Sequence, residues 1–189
     1  MHETTSNLVL IGMPGSGKST VGVILAKKTG RGFVDTDVLI QTSQRRTLQE
    51  IVDTDGHAAL RRIEARVILG LQIARHVIAT GGSAVYSRRA MAHLKSRGTI
   101  VFLDVDLDTL ASRIGDFDTR GIARRPGQSL ADLFRERMGL YVRYADVTVT
   151  CGGLTQEQVC EEIIGRTQNR RGRRAVGITC AGSGSEKPR

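Results

Sequence analysis

A glycine-rich segment near the start of the chain carries the clearest chemical signal. Residues 12–19 read GMPGSGKS, which fits the pattern GxxxxGK followed by Ser or Thr, between an apolar run and a helical pattern. In such loops successive backbone N–H groups point at phosphate oxygens, the lysine reaches the β- and γ-phosphates, and the last hydroxyl binds Mg²⁺. The segment therefore predicts a site for a nucleoside triphosphate with magnesium. The residues expected to form it are Gly15, Ser16, Gly17, Lys18, Ser19 and Thr20.

Two carboxylates follow the second apolar run, in the segment FVDTDVLI (33–40). Asp35 and Asp37 are predicted to lie at the end of a strand, and in parallel sheets ligands bind outside the carboxyl ends of the strands. Phosphoryl transfer to an alcohol needs an anchor for magnesium and a group that holds, and can deprotonate, the hydroxyl. Two carboxylates can divide these roles. The alternative is that either side chain only caps the helix that follows.

Five short apolar runs predict the strands of one sheet. Helical patterns separate the runs, an order typical of a parallel sheet between layers of helices. The runs are mostly apolar rather than alternating, as expected for strands covered on both faces. The chain is predicted to form one three-layer α/β domain over residues 1–165. The predicted strands are residues 7–11, 32–35, 76–80, 99–105 and 147–150.

The choice among classes of triphosphate-binding protein depends on length and on accessory motifs. A guanine-nucleotide switch needs a DxxG loop at a strand end, but the matching residues 53–56 follow a helical segment. It also needs an NKxD-type guanine-binding motif, and neither Asn7 nor Asn169 stands in one. A transport or remodelling ATPase needs coupling elements for which 189 residues leave too little chain. A small-molecule kinase fits the length.

Five segments, in their order and at their separations, resemble the shikimate kinase family. They are GMPGSGKSTVG, FVDTDVLI, GHAALRRIEA, ATGGSAV and RERMGLYVRYADVTV, and the resemblance extends from about residue 8 to residue 165. It implies a P-loop kinase fold with a five-stranded parallel sheet and a mobile lid. It also implies the reaction of ATP with shikimate to give ADP and shikimate 3-phosphate. A kinase of the same architecture that acts on another small hydroxy acid, such as gluconate, is the nearest alternative.

The resemblance assigns roles to four side chains of the acceptor site. Asp37 corresponds to the shikimate-binding aspartate and candidate base, and Asp35 corresponds to the aspartate linked to magnesium. Arg61 and Arg137 correspond to the arginines that bind the substrate carboxylate. Arginine suits this role because its planar guanidinium can bind a carboxylate through two parallel hydrogen bonds. Without the resemblance, either arginine would be read as a solvated surface charge.

The segment GDFDTRGIARRPGQS (115–129) has no periodicity and corresponds to the mobile lid of the family. Within it, Arg120 corresponds to the catalytic arginine that reaches the transferred phosphoryl group, and lid closure excludes water. Just before it, Arg113 corresponds to the residue that stacks against adenine. The family typically has Arg-Pro-Leu-Leu in this lid, so Arg124 or Arg125 remains an alternative to Arg120.

The segment IATGGSAV (78–85) ends the third predicted strand. The resemblance implies that the backbone N–H of Gly82 helps to hold shikimate. Ser83 stands where the family has a third glycine, and at a positive φ a serine would cost roughly 1–2 kcal/mol. We therefore expect Ser83 to have either an ordinary φ or a hydroxyl whose hydrogen bond offsets the strain, and to be a tolerated variation.

Composition limits the partners and the compartment. The net charge is +9, and the seven basic residues and one acidic residue from Arg166 onward supply +6 of it. Residues 166–189 are predicted to be a disordered basic tail, with an RNA-binding arm as the alternative. Three cysteines without a paired spacing, and no apolar run long enough to cross a membrane, predict a cytoplasmic protein without a membrane partner. We expect a monomer and no specific nucleic-acid partner.

Overall fold

Five parallel strands form one sheet in the order β2-β3-β1-β4-β5. The structure is a computed structural model that describes residues 6–114 and 121–178, with side chains as far as residue 170. The strands are β1 (Asn7–Ile11), β2 (Gly32–Asp35), β3 (His76–Ala79), β4 (Gly98–Asp104) and β5 (Val147–Thr150). The helices of the described ranges are α1 (Lys18–Thr29), α2 (Thr36–Gln44), α3 (Leu48–Asp55), α4 (His57–Leu69), α5 (Arg88–Arg97), α6 (Leu107–Ile114), α7 (Leu130–Tyr144) and α8 (Gln156–Ile178), with a 3₁₀ turn at Ala84–Tyr86.

The five predicted strands are confirmed, with ends that agree to within one residue. Strand β1 lies at the centre of the sheet, where Leu8 is opposite Val77 of β3 and Thr99 of β4. Every residue of β1 is buried. After Asn7 the strand is entirely apolar, as expected for a central strand buried on both faces, and this is why the sequence shows apolar runs instead of alternation.

Helices cover both faces of the sheet and complete the predicted three layers. Helix α1 packs against α8 and β3, whereas α5 and α7 pack against β4. Phe102 of β4 and Tyr141 of α7 hold one of these contacts, because their rings stack with centroids 5.2 Å apart. The predicted fold class is therefore confirmed.

The carboxyl edge of the sheet gathers the segments in which the sequence predicts chemistry. Strand β1 leads into the glycine-rich loop at Gly12, β2 ends at Asp35, and β3 is followed by Thr80 and Gly81. These strands lie side by side in the order β2-β3-β1. Parallel pairing therefore brings together groups that are far apart in the sequence.

The C-terminal segment differs from its prediction. Helix α8 continues from Gln156 to Ile178, so the predicted boundary at residue 165 lies inside a helix, and disorder after Ile178 stays a prediction. Its polar residues find partners on the domain: Arg166 donates to the Thr148 carbonyl at 2.7 Å, and Arg170 donates to the carboxylate of Asp146 at 2.8 Å. Thr167 is buried. The basic composition suggested a solvated tail, whereas these contacts extend the folded domain.

Several predictions about partners and location stay predictions. Within the described ranges, no helix combines the length and the apolar character that a membrane crossing requires. The monomeric state, the cytoplasmic location and the absence of a specific nucleic-acid partner are not tested by the fold.

Candidate active site

The glycine-rich loop wraps around the N-terminus of α1. Gly15 has φ +79° and Gly17, which precedes the helix, has φ +89°, a region that favours glycine because it has no Cβ. An added Cβ at Gly15 would also lie 2.8 Å from the Ile114 side chain. The unpaired N–H groups at the start of a helix attract phosphate. The loop therefore has the backbone shape that its sequence predicted.

Lys18 lies buried inside this loop. Its Nζ donates to the carbonyls of Gly12 at 2.9 Å and Met13 at 2.7 Å, and to Ser16 Oγ at 3.3 Å. Burial lowers the pKa of Lys18 to about 8, although the negative charge of Asp37 opposes this shift. The ammonium group is therefore already held within the loop in which phosphates are expected.

The predicted magnesium residues are in contact with each other. Ser19 Oγ donates to Asp35 Oδ2 at 2.6 Å, and both Ser19 and Thr20 are exposed at the first turn of α1. The other oxygen, Asp35 Oδ1, accepts the Asp37 N–H at 2.9 Å and so caps α2. Asp35 thus fulfils the capping alternative while keeping one oxygen beside Ser19. A hydroxyl and a carboxylate form the oxygen donor set that suits Mg²⁺, which usually takes few protein ligands beside phosphates.

A second carboxylate, which the sequence analysis did not single out, lies close to Asp37. An added Cβ at Gly81 would lie 2.4 Å from Glu64 Oε1 and 2.5 Å from Asp37 Oδ1, so both side chains flank this backbone position. Burial, and then the charge of Asp35, raise the pKa of Asp37 to about 6. Burial, and then the charge of Asp37, raise the pKa of Glu64 to about 7. Glu64 follows Arg61 by three residues on α4, so both lie on one face of the helix. This spacing could have indicated from the sequence that Glu64 belongs to the site.

Ser83 has an ordinary backbone and a defined partner. Its φ of −97° lies outside the left-handed region, so serine brings no backbone strain here. Its hydroxyl donates to Glu64 Oε2. Of the two expectations for Ser83, the ordinary φ is therefore correct, and the hydroxyl is used to hold a buried carboxyl group. Within the described residues, Glu64 Oε1 is buried without a hydrogen-bond partner.

The two predicted carboxylate-binding arginines converge on a single acceptor. Arg61 on α4 and Arg137 on α7 both donate through Nη2 to the carbonyl oxygen of Ala123, at 3.3 Å and 2.7 Å. Arg137 is only 1% exposed, and its Nη1 lies beside Gly82, where an added Cβ would be 2.8 Å away. Two guanidinium groups directed at one oxygen form an arrangement suited to a carboxylate.

Gly82 lies in a backbone segment that is held by two side-chain hydrogen bonds. Its carbonyl oxygen accepts the hydroxyl hydrogen of the buried Tyr141 at 2.7 Å. The preceding N–H, that of Gly81, donates to Thr36 Oγ1 at 3.0 Å. These bonds hold the peptide between Thr80 and Gly81 and the peptide between Gly82 and Ser83. The contact of the Gly82 N–H with the substrate stays a prediction.

The lid is described only in its second half. Arg120 lies outside the described residues, whereas Gly121 and Ala123 line the cavity above the glycine-rich loop. The two alternative arginines face elsewhere: Arg125 pairs with Glu136 at 2.9 Å, and Arg124 and Arg125 line a second cavity. Arg113, predicted to contact adenine, lies at the exposed end of α6 and lines the main cavity.

One cavity of about 450 Å³ joins most of these groups. Its lining includes Lys18, Ser19, Asp37, Glu64 and Arg137. Arg61 is next to the cavity, because it donates a hydrogen bond to Ala123, which also lines it. A phosphate loop at the carboxyl edge of a parallel sheet, with carboxylate and guanidinium groups lining the same cavity, is typical of a P-loop kinase of a small anionic substrate.

Comparison with known proteins identifies the family. The model of the shikimate kinase family matches residues 14–168. The shikimate kinase of Rhizobium meliloti (strain 1021) is 36% identical over 161 residues, which cover 84% of this chain and 83% of the relative. That of Gloeobacter violaceus is 41% identical over 152 residues, which cover 78% and 85%. The structure of shikimate kinase from Acinetobacter baumannii in complex with shikimate superposes with a TM-score of 0.82 at 29% identity, covering 89% of this chain and 96% of that one.

The chain therefore belongs to the shikimate kinase family. It is a kinase that transfers a phosphoryl group from a nucleotide to shikimate, and this assignment is favoured over the gluconate alternative.

Proposed function

We propose that this enzyme transfers the γ-phosphoryl group of ATP to the 3-hydroxyl of shikimate with Lys18, Asp37 and Arg120 as catalytic residues. The observation that carries the proposal is the shared cavity, which is lined by the phosphate loop and also by Asp37 and Arg137. Two reactants held in one cavity can react without a further encounter in solution. The remaining residues then divide into those that bind the nucleotide and those that bind the acid.

The nucleotide half binds the triphosphate through the backbone of the loop and through Lys18. Ser19 and Asp35 would hold Mg²⁺, which when bound neutralises charge on the transferred phosphoryl group. Support for this pair comes from its 2.6 Å hydrogen bond at the mouth of the loop. The proposed contact of Arg113 with adenine is supported by its position on α6, where it lines the cavity.

The acid half binds the shikimate carboxylate between Arg61 and Arg137. Support comes from the Ala123 carbonyl oxygen, to which both arginines donate, since a carboxylate oxygen can accept the same hydrogen bonds. The buried guanidinium of Arg137 should bind an anion strongly because water competes weakly there. The backbone of Gly82 completes the site, since Arg137 Nη1 lies against it.

Asp37 accepts the proton of the attacking hydroxyl. The shikimate oxygen forms a bond to the γ-phosphorus, the bond from phosphorus to the β,γ-bridging oxygen breaks, and ADP leaves. Burial raises the pKa of Asp37 to about 6, which leaves the side chain ionised at neutral pH yet close enough in pKa to accept a proton. Lys18 and Arg120 stabilise the negative charge that spreads over the transferred group.

The assay that tests the proposal measures ADP release from ATP and Mg²⁺ with and without shikimate. We expect turnover only with shikimate, and none when gluconate replaces it. Loss of turnover when EDTA removes the metal, and its recovery with excess Mg²⁺, is expected if Ser19 and Asp35 hold that ion. Turnover with gluconate but not with shikimate would refute the proposal.

Asp37→Asn tests the base. We expect turnover to fall at least about 100-fold, the usual scale of losing a positioned proton acceptor, while a thermal melt shows a folded protein. Asp53→Asn on the exposed side of α3 is the control and should retain full activity. Near-normal turnover of Asp37→Asn would exclude this side chain as the base.

A further inference from the structure

Tyr86 lies close to both of the arginines that are proposed to bind the carboxylate. It ends the 3₁₀ turn that follows Ser83, and its ring centroid is 3.7 Å from the guanidinium carbon of Arg61 and 5.4 Å from that of Arg137. A guanidinium within about 6 Å of an aromatic ring centroid is attracted by the negative π face. The ring is thus in contact range of both cations at once.

The phenol hydroxyl of Tyr86 is also engaged on both sides. It accepts a hydrogen bond from Arg137 Nε at 3.4 Å and donates one to Glu136 Oε1 at 2.5 Å. A phenol has one hydrogen to donate and lone pairs to accept, so both bonds can form together. Burial raises the pKa of Tyr86, and the hydrogen needed for the bond to Glu136 is retained at neutral pH.

Two guanidinium groups that share one acceptor repel each other. Burial, and then the nearby charge of Arg137, lower the pKa of Arg61, whereas the carboxylate of Glu136 acts in the opposite direction. The π face of Tyr86 attracts both guanidinium groups, because each lies within contact range of its ring. Before substrate arrives, the ring therefore offsets part of the repulsion between the two cations.

Glu136 keeps the phenol in place. Its Oε2 accepts hydrogen bonds from Gln128 Nε2 at 2.7 Å and from Arg125 Nη2 at 2.9 Å, while its Oε1 accepts from Tyr86. Glu136 precedes Arg137 on α7, so the same helix carries one cation and the anchor of the ring. The ring is consequently held by α7 and by the described half of the lid.

We propose that Tyr86 is a positioning residue that sets the separation and the direction of the Arg61 and Arg137 guanidinium groups and thereby determines affinity for the substrate carboxylate. The inference rests on the proposed role of the two arginines in binding that carboxylate. Tyr86 is not among the residues to which the family resemblance assigns a role. It is proposed to act on substrate binding and not on the transfer step.

The test compares Tyr86→Leu, which removes the ring, with Tyr86→Phe, which removes only the hydroxyl. We expect Tyr86→Leu to raise the KM for shikimate about tenfold and Tyr86→Phe about threefold, in line with a partly desolvated cation–π contact and one hydrogen bond. The kcat and the KM for ATP should stay within about twofold of the parent enzyme in both variants. Tyr144→Leu at the end of α7 is the control and should leave the KM for shikimate unchanged.

A second substrate separates positioning of the arginines from a general effect on folding. The carboxamide of shikimate has no anion for the arginines to bind, so Tyr86→Leu and the parent enzyme should show the same kcat/KM with it. An equal loss on the acid and on the amide would overturn the proposal, as would an unchanged KM for shikimate. If Tyr86→Leu does not fold, Tyr86→Phe decides alone, and an unchanged KM for shikimate in that variant overturns the proposal.

The same assays distinguish this inference from the proposed site on which it rests. Arg61→Lys should also lose selectivity for the acid over the amide. If Arg61→Lys binds both substrates as the parent does, the arginine site itself is wrong. If Arg61→Lys loses selectivity and the Tyr86 variants keep it, only the role of Tyr86 is wrong.

Discussion

The phosphate loop takes its groups from one continuous segment, residues 12–19, whereas the shikimate pocket takes its groups from five separate parts of the chain. The pocket draws on α2, α4, the segment after β3, α7 and the lid. The loop binds through its backbone, since positive φ angles at its glycines let N–H groups point toward one ligand. The pocket is formed by side chains, in which charged groups from helices far apart in the sequence lie close together.

This difference separates what each half contributes to the reaction. In the proposed reaction, backbone N–H groups and Lys18 act on charge that develops on the phosphoryl group, so damage to the loop should appear in kcat. In the same proposal, Arg61 and Arg137 bind a carboxylate that is the same before and during transfer, so damage to the pocket should appear in KM. Variants of each half can confirm or break this division.

The largest effect is expected from Lys18→Ala. Loss of a buried cation that faces the transferred phosphoryl group should lower kcat about 100- to 1,000-fold, since removing one such stabilising group usually costs this much. Steady-state rates of ADP release measure it. Lys27→Ala, on the exposed side of the same helix, should keep the parent kcat. A kcat within tenfold of the parent would show that the backbone alone carries the nucleotide half.

A smaller effect, on KM instead of on kcat, is expected from Arg61→Lys. Replacing the planar two-pronged contact by a point charge should raise the KM for shikimate about 10- to 100-fold, given the strength of hydrogen bonds to charged groups. The KM for ATP should not change. Arg62→Lys, at the neighbouring exposed position, serves as the matched control. An effect mainly on kcat would break the division between the two halves.

The third prediction concerns the pH dependence of stability. Because burial raises the pKa of Glu64 to about 7, the folded protein binds a proton there that the unfolded chain has released above its ordinary pKa near 4.5. The free energy of unfolding should therefore fall as pH rises from about 5 to 8. Glu64→Gln should reduce this fall by roughly 1–3 kcal/mol, measured by urea unfolding at pH 5 and pH 8. Equal slopes in the two proteins would show that Glu64 is charged in the fold throughout.

The smallest effect is expected from Ser83→Gly. The variant loses one hydrogen bond to Glu64, worth about 1 kcal/mol net, and we expect kcat/KM for shikimate to change no more than about fivefold. A large gain in activity would show that the serine is a defect. Kinetics of Ser83→Ala, which keeps the Cβ, would then assign the effect to the hydroxyl or to the added atom.

The sequence predicted the strands and the loop because both depend on neighbours in the chain. Five apolar runs gave the strand ends to within one residue, and the order of glycines in residues 12–19 gave the loop. It did not indicate the contacts of residues 166–170, because composition suggested solvation while Arg166 and Arg170 have partners on β5 and just before it. Contacts between residues 18 or more positions apart leave no local pattern in a single sequence.

The same limit explains the missed groups of the site. Glu64 was available from its spacing to Arg61, but nothing near Tyr86 in the sequence points to the two guanidinium groups that it contacts. Tyr86 lies 51 positions from Arg137. Burial also changes the pKa of Glu64 and Asp37, and burial is a property of the whole fold.

The sequence by itself determined the phosphate loop, the parallel sheet and the two carboxylates, Asp35 and Asp37, at the end of the second strand. Backbone dihedral preferences and apolar periodicity act within a few residues, so these features can be read locally. Only the tertiary structure decided that Arg61 and Arg137 share one acceptor, that Ser83 donates to Glu64, and that Tyr86 lies close to both guanidinium groups. Those outcomes depend on which helices the sheet brings together and on how much water their packing removes.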